Sequence, residues 1–236
     1  MNSAMKNRWN NLAGKLRVIY LEKKIPESKI QTDLKYLGEA YRFTEERWLA
    51  QLQSTVPKVV MLSEAPLFGE NKNYFYNPDT APSSFFQFDD AKAVAGDDFA
   101  RSKKFECARE KKQFLIDAVT SNGFLILDLF PYALNEGTAL NYDVGKKIYC
   151  NIFRETIADH LCIKLDLIKE ACKCSNPPLF LYRYKRLKDR LDNEVKGVFC
   201  CKRLDAKINS VGGKSMSLDR QILANEMKRG RDLHSR

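Results

Sequence analysis

Four short runs of consecutive apolar residues divide the chain and are predicted to form buried β-strands. Each run is four residues long, is bounded by Pro, Gly or polar residues, and is too short for a helix. Such runs are typical of strands in a parallel sheet that helices cover on both faces. The predicted strands are residues 59–62, 124–127, 179–182 and 198–201.

The segments between these runs carry apolar residues at the spacing of amphipathic helices. Thr44, followed by Glu45 and Glu46, is predicted to cap the start of a helix that Pro57 ends. Further helices are predicted over residues 105–119, 144–168 (one helix or two), 187–195 and 218–227. The first 35 residues are predicted to form a helix and a connecting arm, and residues 66–98 a long, aromatic-rich loop.

Strands that alternate with helices predict an α/β fold, a three-layer α/β/α arrangement around a central, mainly parallel four-stranded sheet. No linker rich in Pro, Gly or Ser divides the chain, so we expect a single α/β domain over residues 1–236. Within it we distinguish a basic N-terminal arm or helix (1–35), a core (55–230) and a basic tail (230–236). Ligands of such sheets bind beyond the carboxyl ends of the strands, so the polar segments after each run are the functional candidates.

Positive charge is concentrated at the two ends of the chain. Lys and Arg number 40 against 30 Asp and Glu, which gives a net charge of +10. Residues 1–35 carry eight basic and three acidic side chains, residues 177–236 fifteen and seven, and residues 36–100 five and ten. A basic surface favours polyanionic partners, although the charge by itself does not identify which polyanion. Ordinary solvated Lys and Arg side chains on helix faces would give the same composition.

The composition excludes several classes of protein. No apolar run approaches the roughly 18–20 residues that cross a bilayer, and the N-terminal residues, with Lys6 and Arg8, do not resemble a signal peptide. We therefore expect a cytoplasmic protein that does not bind membranes, and a monomer. The seven Cys residues are expected to be reduced thiols, and neither Cys172-x-Cys174 nor Cys200-Cys201 has the spacing of a zinc site. No metal is expected.

The segment after the first predicted strand resembles a known catalytic motif. Residues 59–66 read V-V-M-L-S-E-A-P and resemble the first motif of the uracil-DNA glycosylase superfamily, in which a buried strand delivers a short loop to the catalytic pocket. The closest branch reads G-E-A-P-G, and Ser63 and Leu67 replace its two glycines. The order of the later strands, loops and helices is also similar over residues 55–230. The resemblance implies a uracil-DNA glycosylase-like fold and a DNA glycosylase, a hydrolase of DNA repair that flips out a damaged base.

The resemblance also implies roles for individual residues. Glu64 would activate the attacking water, and Asp128 is the second candidate catalytic residue, able to read the base edge as Asn135 could. A deaminated purine or a uracil-like base would be cut from the sugar after flipping. Substrate contacts would come from the first loop (Ser63, Ala65, Pro66), from stacking aromatics (Phe68, Tyr74, Phe75), and from a phosphate-binding turn (Gly212, Gly213, Lys214, Ser215).

Each of these residues also has a purely structural interpretation. Glu64 could simply end a strand, Asp128 could cap a segment or pair with a cation, the aromatics could pack a long loop, and the two glycines could form an ordinary turn. The family's last motif usually supplies a His or a Pro-Ser loop that stabilises the departing base, and this chain has neither His nor Pro between Cys201 and Met227. No Cys precedes Cys107, so the branch's iron–sulfur cluster is not expected, and no cofactor is predicted.

Two other functions remain open from the sequence. The chain could be a catalytically silent member that binds nucleic acid or a protein partner through the same groove. It could also be an unrelated nucleotide-processing enzyme on a doubly wound sheet, although it contains neither a Walker loop nor a G-x-G-x-x-G motif.

Overall fold

A four-stranded, all-parallel sheet lies at the centre of the protein in the computed structural model. The strands are β1 (Val59–Ser63), β2 (Phe124–Asp128), β3 (Leu179–Tyr182) and β4 (Asn209–Ser210), in the order β2-β1-β3-β4. The first three predicted strands and the parallel α/β class are confirmed. The structure describes residues 3–66, 69–70, 72–80, 86–96, 99, 104–133, 137–140, 146–172, 176–205, 208–212 and 218–235.

Helices precede, separate and follow the strands. In chain order they are α1 (Ser3–Glu22), α2 (Glu27–Gln53), α3 (Phe88–Ala95), α4 (Ala108–Ser121), α5 (Lys146–Ile152), α6 (Ala158–Cys172), α7 (Lys185–Cys201) and α8 (Arg220–His234), with a π-helical segment, Phe153–Ile157, joining α5 to α6. Helix α3 packs against α4 and α8, α6 contacts α2 and α7, α1 packs against α2, and α5 contacts α7. One cluster of buried side chains extends from α1 through the sheet to α8, consistent with three layers.

The predicted fourth strand, residues 198–201, is wrong. These residues are the last turn of α7, and the fourth strand is the two-residue β4. The physical reason is visible in the spacing of the buried residues of α7, which recur every three or four positions: Leu187, Leu191, Val195, Val198 and Phe199. In the last turn, Val198 and Phe199 are buried whereas Cys200 and Cys201 are exposed, which is the pattern of an amphipathic helix and not of a strand covered on both faces.

Three other predictions near the N-terminus and in the first long loop need correction. Thr44 does not start a helix: it lies inside α2, where its hydroxyl donates to the carbonyl oxygen of Ala40 at 3.0 Å. The predicted arm within residues 1–35 is helical, since α1 and the start of α2 occupy most of it. The predicted loop of residues 66–98 contains α3, whose start is closed by a capping box between Gln87 and Asp90.

Gly212, which follows β4, lies directly against the backbone that follows β3. A Cβ atom here would be 2.1 Å from the carbonyl oxygen of Arg183. Gly212→Ala is therefore expected to lower the free energy of unfolding by about 2–3 kcal/mol, measured by urea denaturation. Gly197→Ala in α7 is the matched control, because nothing lies within 4 Å of its Cβ position and a helical Gly→Ala change stabilises by about 0.5–1 kcal/mol. Equal effects of the two substitutions would contradict this packing.

Candidate functional site

The segments that follow the strands meet at the carboxyl edge of the sheet. Ser63 and Asp128, the last residues of β1 and β2, are register partners. Past them, the backbone N–H of Phe130 donates to the carbonyl oxygen of Glu64 at 2.9 Å, and the N–H of Arg183 donates to the carbonyl oxygen of Leu62 at 2.9 Å. Glu64 and Asp128 therefore lie at the ends of adjacent strands, where parallel sheets bind ligands.

The Glu64 side chain is held by two donors. The Tyr149 hydroxyl on α5 donates to Oε1 at 2.6 Å, and Nη2 of Arg186 on α7 lies 3.3 Å from each carboxylate oxygen. Burial and the Glu64 carboxylate raise the pKa of Tyr149 well above its usual value, so its phenol stays a donor. About a fifth of the Glu64 side chain, 20%, is exposed. The carboxylate is thus oriented and still open to solvent.

Asp128 is partly exposed and lies in a very different environment. Burial raises its pKa to about 7, and the Glu45 carboxylate adds to the increase, whereas the Ser63 hydroxyl, Lys164 and Arg183 oppose it. Near neutral pH the carboxyl group therefore exists in both protonation states. A group with this property can either donate or accept a proton during a reaction.

A small cavity of about 10 Å³ lies beside Asp128. Its walls come from α2, the segment after β1, the end of β2 and α6. The lining residues are Thr44, Glu45, Trp48, Pro66, Tyr74, Leu127, Asp128, Pro131, His160 and Lys164. The volume suits one water molecule.

A buried ion pair forms one wall of this cavity. Nζ of Lys164 lies 2.6 Å from Oε1 of Glu45, and the same ammonium group lies 3.6 Å from the ring centroid of Trp48. Nε2 of His160 is 3.8 Å from Glu45 Oε1. Burial lowers the pKa of His160 to about 3, so its imidazole is neutral. All three ionisable side chains are at least nine-tenths buried.

The sequence interpretation missed Glu45 and Lys164, although a signal was present. Lys164 occupies a helical position in line with the apolar residues Leu161, Leu165 and Ile168. A charged residue within an apolar helical stripe must either be buried with a partner of opposite charge or extend its side chain to the solvent. Glu45 occupies the same kind of position in α2, but it was assigned to the first turn of a shorter helix.

The predicted substrate-contact residues lie in several different environments, and Ser63 is fully buried at the end of β1. Tyr74 and Pro66 line the cavity beside Asp128, with the Tyr74 side chain only 7% exposed, and Ala65 packs against the core. Phe75 is buried between Tyr76 and Phe86, with ring centroids 4.9 and 5.2 Å away, so its contacts are those of a core residue. Gly212 lies against Arg183. Phe68, Asn135, Gly213, Lys214 and Ser215 lie outside the described residues.

Two cations share one aromatic ring close to the carboxyl edge. The guanidinium carbon of Arg47 lies 3.5 Å from the ring centroid of Phe43, and Nζ of Lys72 lies 5.6 Å from it. Lys72 belongs to the segment that follows β1, and Arg47 also lies close to the carboxylates of Asp79 and Glu46. The arrangement puts two cations and an aromatic ring within one short stretch of surface.

Within the described ranges, no cluster of three or more His, Cys, Asp or Glu side chains could hold a metal ion, and no helix is long and apolar enough to cross a membrane. The carboxyl edge thus presents an oriented carboxylate, a carboxyl group that titrates near neutrality and, nearby, two cations over one aromatic ring. Comparison of the chain with protein-family models, curated proteins and solved structures found no match.

Proposed function

We propose that the protein is a DNA N-glycosylase, a hydrolase that cuts the bond between a flipped-out damaged base and its sugar. One observation carries this proposal. Glu64 of the Ser63–Pro66 segment is oriented by Tyr149 and Arg186 at the end of β1, and Asp128, whose pKa is about 7, ends the adjacent strand. The glycosylase-like sequence pattern and the position of its carboxylate at the ligand-binding edge of the sheet support the same function.

Glu64 has the features of a residue that activates water. The two donors orient its carboxylate, and its exposed fraction leaves room for a water molecule at a free lone pair. In the proposed reaction the water oxygen attacks the anomeric carbon of the sugar and a proton passes to Glu64. The glycosidic bond breaks, and its electron pair leaves with the base.

Asp128 has the complementary features of an acid. Because its carboxyl group is partly protonated near neutral pH, it can donate a proton or a hydrogen bond to the departing base. Tyr74 lines the cavity beside Asp128, but it is 7% exposed and the cavity has room for about one water molecule, so its ring does not offer a face to an extruded base.

DNA is the substrate that the charged groups favour. Arg47 and Lys72 over the Phe43 ring would contact phosphates beside the site, and the net charge of +10 would speed capture of a polyanion. Binding should therefore weaken as the salt concentration rises.

A second candidate is a silent module that binds nucleic acid without cutting it. One observation favours it: Arg186 already neutralises the Glu64 carboxylate, at 3.3 Å from both oxygens. A carboxylate whose two oxygens both face a guanidinium group is less available to an attacking water molecule, which favours binding without hydrolysis. The glycosylase and the silent module are both expected to bind DNA, and only the glycosylase is expected to excise a base.

Excision by the wild-type protein tests the proposal. Duplex and single-stranded oligonucleotides carrying uracil, hypoxanthine or xanthine would be incubated with the protein, and abasic sites cleaved with alkali. We expect cleavage of at least one substrate, and a loss of about 10²–10⁴-fold in Glu64→Gln because a general base typically contributes that much. Gln keeps the size of Glu64 and removes only its charge.

Glu194→Gln is the matched control, because Glu194 is also a partly buried carboxylate that pairs with an arginine, Arg154, at 2.8 Å. Its excision rate should equal that of the wild type. DNA binding without excision by the wild type would reject the enzyme and leave the silent module. Failure to bind DNA at low salt would reject both.

A further inference from the structure

Burying the Glu45–Lys164 pair is unfavourable for the free energy of folding. Glu45 is 3% exposed and Lys164 is 1% exposed, and removing two charges from water takes several kcal/mol per ion before their attraction is counted. Apolar residues of similar volume would often stabilise such a position as well or better. The pair therefore calls for an explanation other than stability, and its neighbour across the cavity is Asp128.

The polar groups around the cavity are not fully satisfied by protein contacts. Among the described residues, Oε2 of Glu45 has no hydrogen-bond partner, although it is buried. Nζ of Lys164, which has three N–H donors, lies 2.6 Å from Glu45 Oε1 and is likewise without a well-oriented hydrogen bond among those residues. Asp128 lines the same space of about 10 Å³. A buried water needs about this volume and two to four polar partners.

We propose that this cavity holds one water molecule that connects the Glu45–Lys164 pair to the carboxyl group of Asp128, and that Glu45 and Lys164 are positioning residues for Asp128. Lys164 supplies a positive charge close to Asp128, and Glu45 holds that charge in place. The water carries hydrogen bonds across the gap. The consequence for catalysis rests on the proposed function, whereas the network itself does not.

Other groups also face Asp128 and must stay constant in a test. Ser63 on β1 and Arg183 after β3 lower its pKa. The hydroxyls of Tyr74 and Tyr76 interact with its charge, and burial keeps both phenols protonated at neutral pH. His160 on α6 lines the cavity and is neutral at neutral pH. The Glu45–Lys164 pair can therefore be changed while these groups are left intact.

The double variant Glu45→Gln/Lys164→Met tests the proposal. It removes both charges, so it leaves no unpaired buried ion and does not change the net charge. The Asp128 carboxyl titration would be followed by carbon NMR on the full-length protein, with its signal assigned by comparison with Asp128→Asn. We expect the midpoint to move to higher pH than in the wild type, because Lys164 opposes the raised pKa of Asp128 more strongly than Glu45 adds to it.

The matched control is Asp166→Asn/Lys202→Met, which removes an ion pair that Asp166 on the same helix makes with the residue after α7. A midpoint that moves no further than in this control would overturn the positioning role. A crystal structure of the wild-type protein should contain one ordered water between Lys164 and Asp128, and an empty cavity would overturn the water link. A shifted midpoint in a protein that excises no base would keep this inference and reject the glycosylase.

Discussion

Asp128→Asn is expected to make the folded protein more stable above about pH 7 while it removes base excision. The pKa of Asp128 is about 7 in the folded state and 3.8 as an ordinary carboxyl group, so the folded state binds the proton more tightly. Below pH 3.8 the carboxyl group is protonated in both the folded and the unfolded protein, so it has no effect on the free energy of unfolding. As the pH rises from there towards 7 the folded protein loses stability, and above 7 the full loss is present. At about 1.4 kcal/mol per pKa unit, the loss of stability above pH 7 is at most about 4 kcal/mol.

Solvent access to this partly exposed residue reduces the loss, so we expect Asp128→Asn to raise the free energy of unfolding by about 2–3 kcal/mol at about pH 8 and by almost nothing at about pH 4. Urea denaturation of both proteins at the two pH values measures it. Asp117→Asn, at an exposed position on α4, should change little at either pH. A gain that does not depend on pH would show that burial does not disfavour the charged form of Asp128.

Lys164→Met is expected to lower the free energy of unfolding by about 3–5 kcal/mol. The substitution leaves the Glu45 carboxylate buried at 3% exposure without its counterion, and breaking one side of a buried pair typically has an effect of this size. Part of the loss should disappear as the pH falls, because Glu45 can then take up a proton. Thermal or urea denaturation at neutral and acidic pH measures both effects.

Two comparisons separate loss of an ion pair from loss of a lysine side chain. Adding Glu45→Gln to Lys164→Met should restore most of the stability, since no lone charge is left in the interior. Lys202→Met, which breaks the exposed pair with Asp166, should lower stability by less than about 1 kcal/mol. If the double variant is as unstable as Lys164→Met, packing around the lysine stem explains the loss.

Much of the sheet could be predicted because its strands are continuous apolar runs. Strands β1, β2 and β3 are buried along almost their whole length, and this burial is visible directly as uninterrupted Val, Leu, Ile and Phe. Strand β4 could not be found in this way. It has two polar residues, Asn209 and Ser210, and is defined by its backbone pairing with β3. The apolar run at 198–201 was more strand-like in composition than β4 itself.

The candidate site was predictable only as far as it follows the strand ends. Glu64 and Asp128 were found because a parallel sheet gathers the ends of its strands at one edge. Arg186, which also holds Glu64, obeys the same rule because it closely follows the end of β3. Tyr149 comes from a helix far away along the chain, and nothing in its own neighbourhood marks it. The Glu45–Lys164 contact is likewise tertiary, because each residue alone is an ordinary member of an amphipathic helix.

The π-helical turn between α5 and α6 sets the rotational phase of the two helices. Such a turn amounts to one inserted residue, and each residue of a helix turns the next by about 100°. Through Phe153–Ile157, the helix directs Tyr149 towards Glu64 and Lys164 towards the cavity beside Asp128. The continuous helix formed by α5, the π-helical turn and α6 therefore contacts the surroundings of both Glu64 and Asp128. Removing a single residue from the turn would rotate one contact away from the sheet while the other stayed in place.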